Sequence, residues 1–177
     1  MRERQRVRRG AVVLVAVAAL LGTAVAPAAA LPDWRTGPAR WDNPGDVRGM
    51  PKVVDLRWAA HDGFDRVVVV LRGARPDLLT MRPEELTYDP SGKPVPLKGK
   101  HLMYLILRPA ATYTNDGRSL YEGRRLVRPG FESLRGIALT SSFEGDTLFG
   151  FTSRTAAYRV FTLTSPSRVV VDFRHPR

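Results

Sequence analysis

Cysteine is absent from the 177 residues of this chain. The fold therefore has no disulfide, the chemistry has no thiol nucleophile, and no cysteine-based zinc site is possible. A lipid anchor on a cysteine directly after a signal sequence is excluded for the same reason. Histidine is nearly as scarce, with three residues that lie far apart in the sequence. Metal or acid–base sites built from a local histidine motif are therefore not expected.

The short motifs of common catalytic sites are also missing. The chain has no Gly-x-Ser-x-Gly elbow, no His-Glu-x-x-His helix, no Ser-x-x-Lys pair and no glycine-rich phosphate loop. We therefore predict a protein that is not an enzyme, takes no cofactor and holds no metal. Two other hypotheses stay open: a secreted hydrolase or lyase with a site assembled from distant strands, and a domain that binds a small ligand or a protein partner.

One local cluster of titratable residues needs an explanation. His61, Asp62 and Asp65 stand close enough in sequence to suggest a metal or acid–base site. A turn that starts at Asp62, together with a local ion pair between Asp65 and Arg66, is the interpretation we favour. His175 follows the last apolar run and is predicted to belong to the C-terminal tail.

The first 30 residues predict export. Five arginines and one glutamate precede an uncharged run over residues 11–25, and residues 28–30 are the small alanines that an export peptidase reads. This order is typical of a secretory signal peptide. A membrane anchor is the alternative, but a span needs about 20 apolar residues and Pro27 interrupts this run earlier. We predict a cleaved signal peptide over residues 1–30, a secreted, cell-wall-associated product and no integral membrane span in the mature chain; the paired arginines at positions 8 and 9 leave both the general and the twin-arginine route open.

Positive charge remains after that segment is set aside. The whole chain carries a net charge of +11, and the residues after Ala30 carry 23 basic and 16 acidic side chains, a net charge of +7. An exported protein with this excess is attracted to anionic surfaces, which in a bacterial envelope are headgroups, wall polymers and peptidoglycan carboxylates. Improved solubility is the alternative explanation. Nucleic acid is not expected as a partner, because the chain is predicted to be exported and carries no recognised nucleic-acid motif.

Residues 53–177 carry the pattern of short strands and turns. β-Branched and apolar runs alternate with turns rich in Gly, Pro and Asp, which favours strands over helices; a single helical turn is suggested within residues 77–85. The predicted fold is all-β, a compact β-sandwich of about nine short, mostly antiparallel strands. Those strands are residues 53–58, 66–72, 86–88, 95–97, 102–108, 134–140, 147–152, 159–163 and 168–173.

Residues 31–52 are predicted to be a Pro/Gly-rich tether between the signal peptide and this domain, since four prolines and three glycines exclude a helix or a central strand. Trp34 and Trp41 are unusual in a tether, because disordered linkers contain few aromatics. We predict that both dock on the domain; contact with a membrane or wall surface is the alternative.

Alternation within the strands predicts which side chains are buried. The strand over residues 102–108 is apolar on both faces, so we predict a central strand that is covered on both sides. The last two strands are predicted to form a hairpin, and Arg66 and Arg168 are predicted to pair with Asp65 or Asp172. The hairpin residues predicted to face the core are Phe161, Leu163, Val169, Val171 and Phe173.

Several segments together resemble the AMIN-like domain family of exported bacterial proteins. They are HDGFDRVV from His61, FEGD from Phe143 with FGF from Phe149, YRVFTL from Tyr158 and SPSRVVVDF from Ser165. The resemblance runs over residues 53–173. It implies a β-sandwich related to the AMIN modules that hold cell-wall amidases and secretins at peptidoglycan, and it implies no catalytic residues. The chain ends four residues after Phe173, so we expect surface binding rather than delivery of an attached catalytic or pore-forming partner.

The segment over residues 109–131 is the candidate binding site. It is too long and polar for an ordinary hairpin connection, and residues 115–117, Asn-Asp-Gly, predict a turn within it. Aromatic faces stack on sugar rings, and guanidinium groups match carboxylates or phosphates. We predict that it binds a cell-envelope polymer, peptidoglycan or other anionic wall material; a solvated loop is the alternative, and the sequence identifies no protein partner. The candidate ligand-binding residues are Tyr113, Arg118, Tyr121, Arg124, Arg125 and Arg128.

Overall fold

Apolar runs separated by turns fold into strands throughout the part of the chain that the structure describes, and no helix forms there. The structure is a computed structural model that describes residues 30–43 and 49–177. The predicted signal peptide, apart from residue 30, and part of the predicted tether lie outside the described residues. The strands are β1 Ala39–Trp41, β2 Lys52–His61, β3 Phe64–Arg72, β4 Asp77–Met81, β5 Thr87–Tyr88, β6 Lys93–Pro94, β7 His101–Arg108, β8 Leu126–Val127, β9 Leu134–Phe143, β10 Asp146–Ser153, β11 Tyr158–Leu163 and β12 Arg168–Arg174.

Ten of these strands form the two sheets of a sandwich. One sheet has the order β1-β4-β7-β10-β9-β8, and the other has the order β11-β12-β3-β2. The short strands β5 and β6 pair with each other. Every named pair of strands is antiparallel. The predicted all-β sandwich with mostly antiparallel strands is therefore confirmed, with twelve strands in the described residues instead of about nine.

Local strand predictions failed where the strands are short. The helical turn predicted within residues 77–85 is wrong, because β4 occupies Asp77–Met81 and pairs with β7. The strand predicted at residues 95–97 is wrong as well, since the pairing there involves Lys93–Pro94. β1 and β8 have three and two residues, too few to show a periodic pattern in the sequence.

The core lies between the two sheets. Antiparallel register aligns residues of neighbouring strands on the same face, so Phe149 of β10 lies beside Leu105 of β7 and Phe151 beside Met103. The rings of Phe151 and Phe173 meet across the sandwich with centroids 5.3 Å apart. The largest fully buried side chains are Tyr158, Phe149, Phe151, Phe173, Met103, Leu105, Leu107, Leu134, Ile137, Val53, Val67 and Val69.

The outer face of the six-stranded sheet is covered by the segment over residues 86–97. The Tyr104 hydroxyl of β7 accepts a hydrogen bond from the Thr87 backbone N–H at 2.7 Å. Gly150 in the neighbouring strand lets the Leu86 side chain pack closely on the sheet, because a Cβ at position 150 would lie only 3.1 Å from Leu86 Cδ2. The prediction of a central strand with both faces covered is therefore confirmed. This outer cluster consists of Leu86, Val95 and Ala138, with Tyr88, Leu97, Leu102, Tyr104 and Leu126 packed against it.

The closing hairpin corrects part of the predicted core. Val160 pairs with Val171, and the two share the inner face; Val160 is 2% exposed. Phe161 is half-buried on the outer face and Leu163 is 36% exposed, so the prediction that these two face the core is wrong. The prediction is confirmed for Val169, Val171 and Phe173.

The outer face of the four-stranded sheet carries a buried ion network. Asp172 is 0% exposed and accepts hydrogen bonds from Arg66 Nε at 2.6 Å, Arg66 Nη2 at 2.9 Å and Arg159 Nε at 2.7 Å. The hydrogen bond to Asp172 raises the pKa of Arg66. The predicted pairing of Arg66 with Asp172 is confirmed. Arg168 instead donates to the Pro166 carbonyl at 3.1 Å, so the ion pair predicted for it is wrong.

Both tryptophans near the N-terminus contact the domain, as predicted. The Trp34 ring lies 4.4 Å from the guanidinium carbon of Arg159, and Trp41 packs against the main core. Between them, Arg35 exchanges two backbone hydrogen bonds with Tyr158, at 2.8 and 2.9 Å. Segments of residues 31–52 thus pack on both sheets, while the division of the chain at residues 30 and 52 stays a prediction.

Candidate binding surface

The segment over residues 109–131 follows the edges of both sheets. Its Ala111 carbonyl accepts from the Val53 N–H at 2.9 Å, and its Glu122 N–H donates to the Val54 carbonyl at 2.9 Å, so it lies along the free edge of β2. It then forms β8 at the edge of β9. Because these backbone groups are paired, the segment is a shaped surface that presents its long side chains to solvent.

The first candidate residues lie on a small hairpin. Tyr113 and Ser119 form an antiparallel bridge, and the Gly117 N–H donates to the Thr114 carbonyl at 3.0 Å. Gly117 has a φ of 83°, a conformation that favours glycine. The predicted turn at residues 115–117 is confirmed. Arg118 is exposed at this hairpin and Tyr113 is half-buried.

Tyr121 has a structural position. Its ring packs against the main core, with its centroid 6.3 Å from that of Phe149. Its hydroxyl donates to the Arg124 carbonyl at 3.1 Å. Burial raises the pKa of Tyr121, and the negative charge of Asp55 raises it further, while Arg125 opposes the change. The ring therefore positions the following arginines.

Arg124 and Arg125 are exposed beside this anchored tyrosine. The backbone carbonyl of Arg125 accepts from the Leu139 N–H at 2.8 Å, which holds the pair of arginines against the edge of β9. Two adjacent guanidinium groups on a held backbone can bind carboxylates or phosphates without first ordering a loop.

Arg128 lies beside a cavity of about 390 Å³, which we call the basic cavity. Arg128 Nη2 donates to the Pro96 carbonyl at 2.6 Å, and Arg135 Nη1 donates to the Phe131 carbonyl at 3.0 Å. Three of its lining side chains are cationic and none is acidic. The lining residues are Pro96, Leu97, Lys98, Arg128, Gly130 and Arg135.

Sequence reasoning missed Lys98 and Arg135. Lys98 precedes the 109–131 segment and Arg135 follows it, and the strand order that brings them together is not visible in the sequence. Arg135 shows a weak local signal, since it stands exposed beside the buried Leu134 in β9. The structure groups the predicted residues in three places: the hairpin with Tyr113 and Arg118, the β9 edge with Tyr121, Arg124 and Arg125, and the basic cavity with Arg128.

The histidines occupy separate places. His61 stacks on Phe64 with ring centroids 4.8 Å apart. Burial lowers the pKa of His101, and the positive charges of Lys100 and Arg82 lower it further. Within the described ranges, no three His, Cys, Asp or Glu residues are grouped as metal ligands.

His175 corrects a prediction, because it belongs to the domain rather than to a loose tail. Its Nε2 lies 2.9 Å from the buried Asp65 carboxylate, and its Nδ1 lies 3.2 Å from Glu132. Asp65 also accepts from the Ser133 and Leu134 N–H groups, at 2.7 and 2.8 Å. The local pairing of Asp65 with Arg66 is therefore wrong, whereas the turn at Asp62 is confirmed.

The described residues thus define a β-sandwich with a basic surface at its edges. The family model of the AMIN-like domain matches residues 51–175. The chain belongs to the AMIN-like domain family, which confirms the resemblance found in the sequence. Comparisons with curated proteins and with solved structures found no match. Family membership points to an extracytoplasmic, peptidoglycan-associated module, and no helix among the described residues is long and apolar enough to span a membrane.

Proposed function

We propose that this protein is an exported, non-catalytic module that attaches to anionic polymer of the bacterial cell envelope, with peptidoglycan as the first candidate. The AMIN-like family and the net charge of +7 after Ala30 support this proposal. The basic cavity is the observation that carries it, because three cations surround one cavity with no acidic side chain among them. Carboxylates and phosphates are the groups that such a cavity binds.

Each arginine of the basic cavity has N–H donors that its contacts with the backbone leave unused. A guanidinium has five N–H donors, and the contacts to the Pro96 and Phe131 carbonyls use only some of those on Arg128 and Arg135. The remaining donors and the Lys98 ammonium would bind an anionic group. In this proposal Arg118, Arg124 and Arg125 contact further anionic groups along the polymer, Tyr113 stacks on a sugar ring, and Tyr121 keeps the backbone in place.

An enzymatic role has less support from the described residues. A nucleophile needs a base that takes its proton, and the obvious base would be His175. Both ring nitrogens of His175 contact carboxylates, and the Ser133 hydroxyl contacts Thr155 Oγ1 at 2.8 Å. This arrangement holds the C-terminal residues in place and leaves neither nitrogen of His175 free to take a proton from the Ser133 hydroxyl.

The expected result is that the Lys98→Gln, Arg128→Gln, Arg135→Gln triple variant binds purified sacculi at least about tenfold more weakly than the wild type at low salt. Hydrogen bonds to charged groups contribute about 1.5–3 kcal/mol each, and 1.4 kcal/mol is tenfold in affinity. The difference should shrink at high salt, because the Debye length falls from about 10 Å at 0.1 M to about 3 Å at 1 M. Co-sedimentation at the two salt concentrations measures both effects.

The control is the Arg72→Gln, Lys93→Gln, Arg154→Gln triple variant. These exposed side chains lie outside the basic cavity, and the variant removes the same number of charges. It should bind sacculi within about twofold of the wild type if the site is local. Equal weakening of both variants would show that net charge alone attracts the protein and would contradict a site at the basic cavity.

Export is expected to remove residues 1–30, so that the secreted protein begins at Leu31. Ala28 and Ala30 provide the small side chains before the cut, whereas cleavage after Ala26 would place Pro27 at the scissile bond. N-terminal sequencing of protein from the culture medium checks this. Protein that keeps Met1 in a membrane fraction would contradict cleaved export.

A further inference from the structure

Part of the outer edge of β11 has no backbone partner in the part of the chain that the structure describes. Tyr158 exchanges its two outward hydrogen bonds with Arg35. Outward-facing groups alternate along an antiparallel strand, so the N–H and C=O of Val160 and Thr162 also point away from β12. Among the described residues, the backbone pairing on this side stops at Arg35.

The opposite edge of the same sheet is covered. Val53 and Val54 of β2 are paired with Ala111 and Glu122 of the 109–131 segment. Three of the devices that block a strand edge are absent from β11, since it contains neither proline nor lysine and has no register shift with β12. Beyond Tyr158, the outer edge of β11 therefore has no strand partner within residues 30–43 and 49–177.

A groove of about 350 Å³ lies along this open edge, and we call it the edge groove. Its volume falls in the range of small-ligand sites. β11 forms one wall, and Trp41 of β1 and Leu78 of β4 form the opposite wall. The lining residues are Pro32, Trp41, Asp42, Asn43, Arg75, Pro76, Leu78, Val160, Phe161 and Thr162.

The charge in the edge groove is positive at one point. Arg75 Nη1 donates to Thr162 Oγ1 at 2.9 Å, and no carboxylate of the described residues pairs with Arg75. Asp42 and Asp77, the neighbouring acids, both contact Arg40. An incoming carboxylate would therefore find an uncompensated guanidinium beside the open strand edge.

We propose that the edge groove binds an extended peptide segment of a partner protein by strand addition to β11. The segment hydrogen-bonds to the backbone of Val160 and Thr162, places an apolar side chain between Trp41 and Val160, and presents one carboxylate to Arg75. Main-chain hydrogen bonds supply affinity in this mode of recognition, and pockets for alternate side chains supply specificity. The proposal concerns a site separate from the basic cavity and does not depend on polymer binding.

The test uses the purified secreted protein and a fluorescent hexapeptide of alternating valine and threonine with one threonine replaced by aspartate. Fluorescence anisotropy should show saturable binding below about 1 mM. Two N-methylated versions of the peptide are compared. One carries methyl groups on the backbone nitrogens of the odd positions and the other on those of the even positions, so each version lacks the N–H donors along one edge of the extended peptide. Strand addition uses one edge of the peptide, so one version should lose binding at least about tenfold and the other should keep it.

Protein variants test the two contacts. Arg75→Gln should weaken the binding of the aspartate peptide about tenfold and leave the binding of a peptide with asparagine in place of aspartate unchanged. Arg72→Gln, the control at an exposed position nearby in the sequence, should leave the affinity for both peptides unchanged. Val160→Pro removes an outward N–H, a substitution that edge strands accept, and should abolish binding. If the Val160→Pro variant fails to fold, the N-methylated peptides and the Arg75→Gln variant still test strand addition to β11.

Three results would overturn the proposal. The first is no peptide binding up to about 1 mM. The second is equal binding of both N-methylated peptides. The third is binding of tri-N-acetylglucosamine in place of the peptide, measured by NMR shifts of the Trp41 indole, which would assign the groove to a sugar.

Discussion

The Val160→Asp variant is expected not to fold, whereas the Phe161→Asp variant of the adjacent residue is expected to fold normally. Val160 is 2% exposed between the two sheets. A carboxylate there would lose its water without gaining a partner, which costs several kcal/mol, about the whole stability of a small domain. Far-UV circular dichroism and the solubility of the two variants measure the difference.

Phe161 tolerates the same change because it lies on the opposite face. The guanidinium carbon of Arg66 lies 5.4 Å from the Phe161 ring centroid, so an aspartate at this position would stand near a cation. We expect a loss of less than about 1.5 kcal/mol, since the ring is only half-buried. A folded Val160→Asp protein, or an unfolded Phe161→Asp protein, would mean that the inward face of β11 has been assigned incorrectly.

This pair of residues also shows why the sequence predicts the strand but not its orientation. β11 has apolar residues in both alternating sets, with Tyr158 and Val160 in one and Phe161 and Leu163 in the other. Periodicity cannot choose between two apolar faces. The choice depends on the pairing of Val160 with Val171, which is a tertiary contact. In β12 the inward face was easier to predict. The acidic Asp172 belongs to the alternating set opposite to Val171 and Phe173, which favours the set with Val171 and Phe173 as the inner one.

Only those features of the candidate site that depend on residues close together in the sequence were predictable. The turn at residues 115–117 and the arginines of the 109–131 segment are visible as composition, and the structure exposes most of those side chains. The burial of Tyr121 was not predictable, because its contact with Phe149 joins residues that are distant in sequence. The basic cavity needs Lys98 as well, and only the covering of the six-stranded sheet by residues 86–97 brings that residue near Arg128.

The Asp172→Asn variant is expected to lose about 3–5 kcal/mol of the free energy of unfolding, the cost of breaking a buried ion pair. Asp172 is fully buried, and the side chain of Arg159 is 10% exposed. Replacing the carboxylate by a neutral amide leaves a charge on Arg159 that water can scarcely reach. For a domain of this size the loss corresponds to a fall in Tm of about 10 °C, which thermal unfolding followed by circular dichroism measures.

Asp146→Asn is the matched control, because Asp146 receives two hydrogen bonds from Arg108 in a cross-strand pair on the surface. The Arg108 side chain is 62% exposed, and an exposed ion pair contributes little to stability because water and salt screen it. Adding Arg159→Met to Asp172→Asn should restore at least about 1 kcal/mol, since it removes the uncompensated charge. If Asp172→Asn unfolds at the same temperature as Asp146→Asn, the network on the outer face of the sheet is solvated in solution and does not stabilise the fold.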